Sequence, residues 1–285
     1  MGHNELLIRE ALSSHPREQV LLSVKFGALR DPALGWLGYD ARPVAVRNFL
    51  TYSMRRLGVD YIDIYRPARL DPAVPIEDTV GAIADLIKAG YVRYAGLSEV
   101  GADTLRRASK VHAIADLQIE YSLISRGIES EILPACRELG IGVTAYGVLS
   151  RGLISGHWSS ARAGERDFRA FSPRFQGANL EANLRLVEKL RAVADSMGAT
   201  VAQVAIAWVA AQGPDIVPLV GARRRERLSE ALGSLAMHLS GGQLRALTDA
   251  VPTEAVAGAR YPEAALVHLD SEKRGTARDA GSSGA

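Results

Sequence analysis

Short apolar runs alternate along the chain with longer amphipathic stretches. Six of the runs read as strands: residues 20–26 (VLLSVKF), 61–66 (YIDIYR), 92–98 (VRYAGLS), 117–122 (LQIEYS), 142–149 (GVTAYGVL) and 216–221 (IVPLVG). They read as apolar on both faces, the pattern of parallel strands covered on each side. Residues 43–57, 76–89, 102–109, 129–138 and 223–235 carry apolar positions at helical spacing. The alternation predicts an α/β chain built on a βα repeat. A helix over 4–12 opens it with no strand before, and an opening helix in a βα repeat points to units absent upstream. The interval from 149 to 216 is too long for one crossover. It predicts a loop over 150–177 and helices near 180–197 and 201–212. A further helix, 241–250, follows the last repeat. Residues 1–270 read as a single domain, and 271–285, small, polar and rich in Gly and Ser, as a disordered tail.

Two architectures fit such a repeat. A doubly wound sheet wants a glycine-rich turn after its first strand, and KFGALRDP is not G-x-G-x-x-G. A (β/α)8 barrel collects its chemistry at the C-terminal ends of its strands. Here those ends carry Lys25, Arg66, Ser98 with Glu99, Tyr121, Tyr146 and Arg223. About six strands are counted where a closed barrel needs eight, so the barrel reading implies that the first two βα units are missing.

Charge and composition narrow the function. Lys plus Arg number 34 against 32 Asp plus Glu, a net +2, which excludes a strongly basic nucleic-acid binder. With 47% apolar residues the chain can bury a sizeable core. The single cysteine, Cys136, excludes an internal disulfide and a cysteine-rich metal site, and suits a reduced, cytoplasmic compartment. His3, His15, His112, His157, His238 and His268 show no metal-ligand spacing, so no metal is expected. No apolar run is long enough to span a membrane, and the opening MGHNELLIREAL is not a signal peptide.

A few residues stand out chemically. Lys25 interrupts an apolar strand. It is either an edge-strand lysine reaching water or a buried active-site amine whose pKa desolvation lowers. In VPLVGARRRERLSEALGSL a strand runs into a helix that starts among arginines. Cations oppose a helix N-terminus, and a bound phosphate would offset them. The alternative is a solvated arginine face partnered by Glu226 and Glu230. Tyr146 ends a strand where it could stack on a flat heteroaromatic ring or simply pack. Gln118, inside a strand, needs a polar partner.

From GHNE-x-L through VKFG, RRLGVDYID, LSE, IEYSL, ELGIG-x-x-AY and RFQG to RRRERL, the chain resembles the aldo-keto reductases, in particular their bacterial branch, over residues 2–262. The resemblance implies a (β/α)8 barrel, NADPH bound in an extended pose, and reversible hydride transfer to a small-molecule carbonyl. The family tetrad is Asp, Tyr, Lys and His, with Tyr as general acid. Lys25 matches its lysine. The Asp and Tyr positions fall before Gly2, and the His position lies in YRPARLDP, where Ala68 stands. A similar P-A-R segment occurs in the pyridoxal-reductase-like branch, which suggests pyridoxal or another small aldehyde. Without a positioned acid, a rate loss of roughly 10²–10⁴-fold is expected. Tyr65 and Tyr121 are the nearest stand-ins. The resemblance assigns Ser98 and Gln118 to the nicotinamide amide and Tyr146 to its ring. It assigns Gly147, Leu149 and Arg151 to the pyrophosphate side, and Gly221, Arg223, Arg227 and Glu230 to the adenosine and its 2′-phosphate. Gly147 and Val148 replace the usual Ser-Pro, and Ala231 the usual Asn. The rival expectation is a catalytically impaired NADPH-binding or interaction protein, or a non-functional fragment. An incomplete barrel would expose two sheet edges, which a homo-oligomer could cover.

Overall fold

A computed structural model describes residues 2–158 and 168–273. Its strands are β1 (Ser23–Phe26), β2 (Ala28–Arg30), β3 (Trp36–Tyr39), β4 (Ile62–Pro67), β5 (Val92–Ser98), β6 (Ile114–Glu120), β7 (Gly142–Tyr146) and β8 (Ile216–Pro218). Its longer helices are α1 (His3–Leu12), α2 (Pro43–Leu57), α3 (Ile76–Lys88), α4 (Ala102–Val111), α5 (Ile132–Leu139), α6 (Gly177–Ser196), α7 (Val201–Ala210), α8 (Arg225–Leu232) and α9 (Gly241–Ala250), with a short α10 (Glu263–Leu266). Six strands form one parallel sheet in the order β1-β4-β5-β6-β7-β8, so β1 and β8 are its edges. Most elements lie where the sequence pattern puts them. The β2–β3 hairpin was not anticipated. It is an antiparallel excursion directly after β1, too short and too mixed in character to leave a periodic signal.

Local chemistry accounts for the element ends. Helix α2 starts with Pro43 in its first turn and stops at Gly58, whose φ of 67° favours glycine. Helices α7 and α9 open on capping boxes, Thr200 with Gln203 and Ser240 with Gln243. Helix α7 is apolar nearly all round and correspondingly buried. Its Trp208 is 1% exposed and donates its indole N–H to Thr248 Oγ1 at 3.0 Å.

The two faces of the sheet differ. Tyr65 of β4 points at the helices, donating to the Val46 carbonyl of α2 at 3.0 Å and stacking on Phe26 at 4.4 Å. Residues of the other parity face inward, away from the helices, and many are polar. Lys25 sits opposite Arg66, and Asp116, Gln118 and Glu120 follow one another along β6, all buried. The expectation of strands apolar on both faces therefore fails on the inner side. Some of these polar atoms partner one another, while Arg66 Nε and Nη1 and Ser98 Oγ are buried without a hydrogen-bond partner. Arg66 Nη2 reaches Asp116 Oδ1 at 2.8 Å and Ser23 Oγ at 2.6 Å, and Thr144 donates to Asp116 Oδ2.

The expected loop 150–177 contains short 3₁₀ turns at Ser150–Gly152, Phe168–Phe171 and Pro173–Phe175, and its residues 159–167 lie outside the described ones. Of the expected tail, 274–285 also lie outside. Ser271, however, donates its backbone N–H to the Glu99 carbonyl at 3.2 Å, so hydrogen-bonded structure runs past 270. No single described helix is long and apolar enough to cross a membrane.

Gly96 of β5 marks the tightest inner contact. A Cβ there would lie 2.8 Å from Asp116 Oδ1 and 2.9 Å from Ile64 Cγ2. We expect Gly96→Ala to lower stability by about 1–3 kcal/mol, because the Arg66–Asp116 pair has to move to admit the methyl group. Urea unfolding checks this, and an unchanged midpoint would contradict the packing described.

Candidate active site

The C-terminal ends of the strands bring the inner-face polar residues together. Lys25, on the edge strand β1, is exposed rather than buried as an active-site amine would be, because no described strand flanks it on its other side. Its Nζ lies 5.7 Å from the centre of the Tyr146 ring. The surrounding protein, then the guanidinium charges of Arg69 and Arg66, push its pKa down to about 8 against weaker pulls from Glu99 and Asp116. Burial raises the pKa of Asp116 more than Arg66 lowers it.

Beside this cluster lies a buried charge network that the sequence did not advertise. Glu99 follows β5 with φ 55° and is 0% exposed. Its carboxylate accepts from Arg260 Nη1 at 3.0 Å and Nη2 at 2.5 Å, Ser271 Oγ at 2.7 Å, Tyr146 OH at 2.7 Å and the Glu120 backbone N–H at 3.0 Å. Burial alone would raise its pKa. The Arg260 ion pair and the two hydroxyls outweigh burial and hold it at about 2. Tyr261 meets Tyr146 OH to OH at 3.0 Å, and the Arg151 guanidinium lies 4.3 Å from the centre of the Tyr261 ring. Burial, then the charge of Glu99, drives the Tyr146 phenol upward, so it stays protonated. Arg174, from the RFQG segment, ties the same region together by donating to Ser125 Oγ at 2.7 Å and lying 3.6 Å from Glu120.

A groove of about 620 Å³ runs from the end of β7 to the start of α8. Of the expected cofactor residues, it is lined by Tyr146, Gly147, Leu149, Arg151, Gly221, Arg223, Arg227 and Glu230. Ser98 and Gln118, register partners on β5 and β6, are buried and do not line it. Helix α8 begins at Arg225, so Arg223 and Arg224 precede it. No side chain caps its N-terminus, and Arg223 is exposed. Arg227 is engaged locally, with Nη1 3.0 Å from Glu230 Oε2, and His157 Nε2 is 2.9 Å from the same carboxylate. The local-partner reading of the arginine run therefore holds for Arg227 and Glu230.

The residues present fit a nicotinamide dinucleotide. Ser98 Oγ is buried without a hydrogen-bond partner, beside the buried amide of Gln118, where a carboxamide would satisfy it. Neither tyrosine stand-in serves the site. Tyr65 points into the helix layer, and Tyr121 donates to Glu129 at 2.8 Å and packs on Trp208. Ala68 presents only a methyl group. Glu99, Asp116, Arg260 and Tyr261 were missed as site residues. Glu99 directly follows the expected strand 92–98 and reads from the sequence only as a polar strand end; Asp116 directly precedes the expected strand 117–122, and carboxylates flanking apolar strands were a usable signal. Arg260 and Tyr261 sit in an aperiodic segment and gave none. A second cavity of about 790 Å³ lies beneath this C-terminal segment, lined in part by Arg126, Glu129, Arg174 and Glu272. No group of three or more potential metal ligands occurs among the described residues.

We expect Arg260→Met to cost about 3–5 kcal/mol at neutral pH, because it leaves Glu99 buried without its cation. Glu99 ionises at about 2 when folded against 4.5 for the free side chain, so the unfolded chain binds more protons between those values. The contribution of the pair is full above about pH 5 and fades as pH falls toward 2. Urea titrations of both proteins should therefore converge at low pH, and parallel losses across pH would refute the assignment.

The aldo/keto reductase family model matches residues 1–251. A probable aldo-keto reductase of Glycine max is 42% identical over 258 residues, 90% of this chain and 74% of the relative. Among solved structures, a glycerol dehydrogenase from Gluconobacter oxydans superposes with a TM-score of 0.82 at 26% identity, covering 96% of this chain and 80% of that one. A thermostable aldo-keto reductase solved with the inhibitor epalrestat gives 0.69 at 25% identity, covering 87% and 78%. Together with the parallel six-stranded sheet and the polar ends of its strands, these matches show that the chain belongs to the aldo/keto reductase family.

Proposed function

We propose that the protein is an NADPH-dependent oxidoreductase of small aldehydes or ketones, of the bacterial, pyridoxal-reductase-like type. The groove between the end of β7 and the start of α8 carries this reading, because eight expected cofactor residues line it, and the buried Ser98 hydroxyl has no hydrogen-bond partner of its own. Bound there, the nicotinamide supplies a hydride to a carbonyl. The glycerol dehydrogenase neighbour supports an alcohol–carbonyl couple. Tyr146 offers its ring for stacking while Glu99 and Tyr261 fix its hydroxyl. Arg223, exposed and ahead of the uncapped α8 N-terminus, suits a 2′-phosphate, which favours NADPH over NADH. Lys25 places a positive charge at the carbonyl end. The free edges β1 and β8 suit the two further strands of an eight-stranded barrel, or a second copy of the chain. Cys136, buried and with its thiol pushed up to about 12 by burial, suits a reducing cytoplasm.

A second reading, cofactor binding without turnover, rests on Ala68, whose methyl group cannot orient a carbonyl as the family histidine does. One experiment separates the two. Thermal melts with NADPH and NADH should show stabilisation of about 2.7 kcal/mol at a hundredfold excess over Kd, with NADPH preferred. Arg223→Ala should weaken NADPH about tenfold and NADH little. NADPH consumption over an aldehyde panel then reports turnover. Stabilisation without consumption selects the second reading, and no stabilisation by either nucleotide overturns both.

A further inference from the structure

Arg260 and Tyr261 do not line the groove, yet both hold residues that do. The Tyr146 hydroxyl donates its one proton to Glu99 Oε1 at 2.7 Å. In the 3.0 Å contact between the two phenols, Tyr261 is therefore the donor and Tyr146 the acceptor. This chain of hydrogen bonds pins the far end of the Tyr146 ring. The near end is fixed by the sheet, where Tyr146 stands opposite Glu120 and its carbonyl accepts from the Tyr121 N–H at 3.1 Å.

Beyond Gly147 and Leu149, the same two residues hold Arg151. Its Nη1 donates to the Arg260 carbonyl at 2.9 Å and to Ser172 Oγ at 3.1 Å, and its guanidinium lies 4.3 Å from the centre of the Tyr261 ring. Ser150 and Arg151 have φ of 46° and 58°, left-handed values that residues other than glycine keep only when their surroundings impose them. The contacts from Arg260 and Tyr261 are part of what imposes them.

The segment carrying this pair is tied down on both sides. Before it, the buried Asn183 side chain of α6 exchanges two hydrogen bonds with the Ala257 backbone, at 2.9 and 3.0 Å. After it, Asp270 accepts from the Gly101 N–H at 2.9 Å and from Thr104 Oγ1 at 2.7 Å, at the start of α4. Ser271 joins Arg260 on the Glu99 carboxylate.

We propose that Arg260 and Tyr261 are positioning residues of the cofactor site, a clasp that presets Tyr146 for the nicotinamide and Arg151 for the pyrophosphate of a dinucleotide. This rests on the reading of the groove as the cofactor site. The clasp removes in advance rotamer freedom that binding would otherwise have to freeze, an effect of about twofold to tenfold in affinity for each side chain held. It acts on one half of the ligand only. The adenosine end of the groove, at Gly221, Arg223 and Arg227, is built by α8 and the residues between β8 and α8.

The test is calorimetric binding to the full chain of NADPH and of 2′,5′-ADP, which keeps only the adenosine end. Tyr261→Phe deletes one hydroxyl and keeps the ring beside Arg151. It should weaken NADPH about threefold, leave 2′,5′-ADP unchanged and lower the fluorescence anisotropy of the bound nicotinamide. Tyr261→Leu, which removes the aromatic ring as well, should weaken NADPH about tenfold and again spare 2′,5′-ADP. Should Tyr261→Leu not fold, Tyr261→Phe still decides. An equal loss for both ligands marks a merely structural role, and an unchanged NADPH affinity shows that the ring needs no clasp; either result overturns the proposal. Binding of neither ligand by the unaltered chain overturns the cofactor reading itself, and the clasp with it.

Discussion

A buried carboxylate that must not be left alone organises the open end of this sheet. Glu99 is wholly excluded from water, and an unpaired charge there would cost several kcal/mol. Arg260 meets it from more than a hundred and fifty residues away in sequence, forking onto both oxygens. Ser271 and Tyr146 fill the remaining acceptor positions. One ion pair therefore fixes two things: where the C-terminal segment crosses the strand ends, and how the Tyr146 ring is held.

The fixed tyrosine has consequences on both sides. Outward, its ring borders the groove that continues past Gly147 and Leu149 to Gly221 and Arg223. Inward, the same ring lies over the Lys25 ammonium. The inner face behind it is polar and only partly satisfied: Asp116 joins Arg66 to Thr144, Gly96 leaves the room they need, and two Arg66 nitrogens and the Ser98 hydroxyl have no hydrogen-bond partner. Such an interior specifies a reactive face at the expense of apolar packing, and it ties site geometry to fold stability.

The family's sequence signatures divide physically along the same line. RRLGVDYID is structural: Leu57 is buried, Gly58 ends α2 in a left-handed turn, and Asp63 accepts from Arg17, Arg93 and the Leu22 backbone N–H. RFQG is structural too, through the buried Arg174. The arginine-led start of α8 instead puts the exposed Arg223 at the groove, and VKFG leaves Lys25 exposed with its amine 5.7 Å from the centre of the Tyr146 ring. Their chemistry is carried by residues that do little for packing.

The sequence by itself determined the βα order, the place of each long helix and the family, because these depend on local periodicity and on contiguous motifs. It also marked Lys25, Tyr146 and Arg223 by their positions at strand ends. It misjudged the inner face, since a strand's polar residues show no partner until neighbouring strands are in register, and Asp116 meets Arg66 only across β5. It gave no sign of the β2–β3 hairpin, of Arg260 on Glu99, or of Tyr261 against Tyr146. These are contacts over long sequence separation, made by segments without periodicity. Only the tertiary structure decided them, because the desolvation that makes each contact necessary exists only once the chain has closed around it.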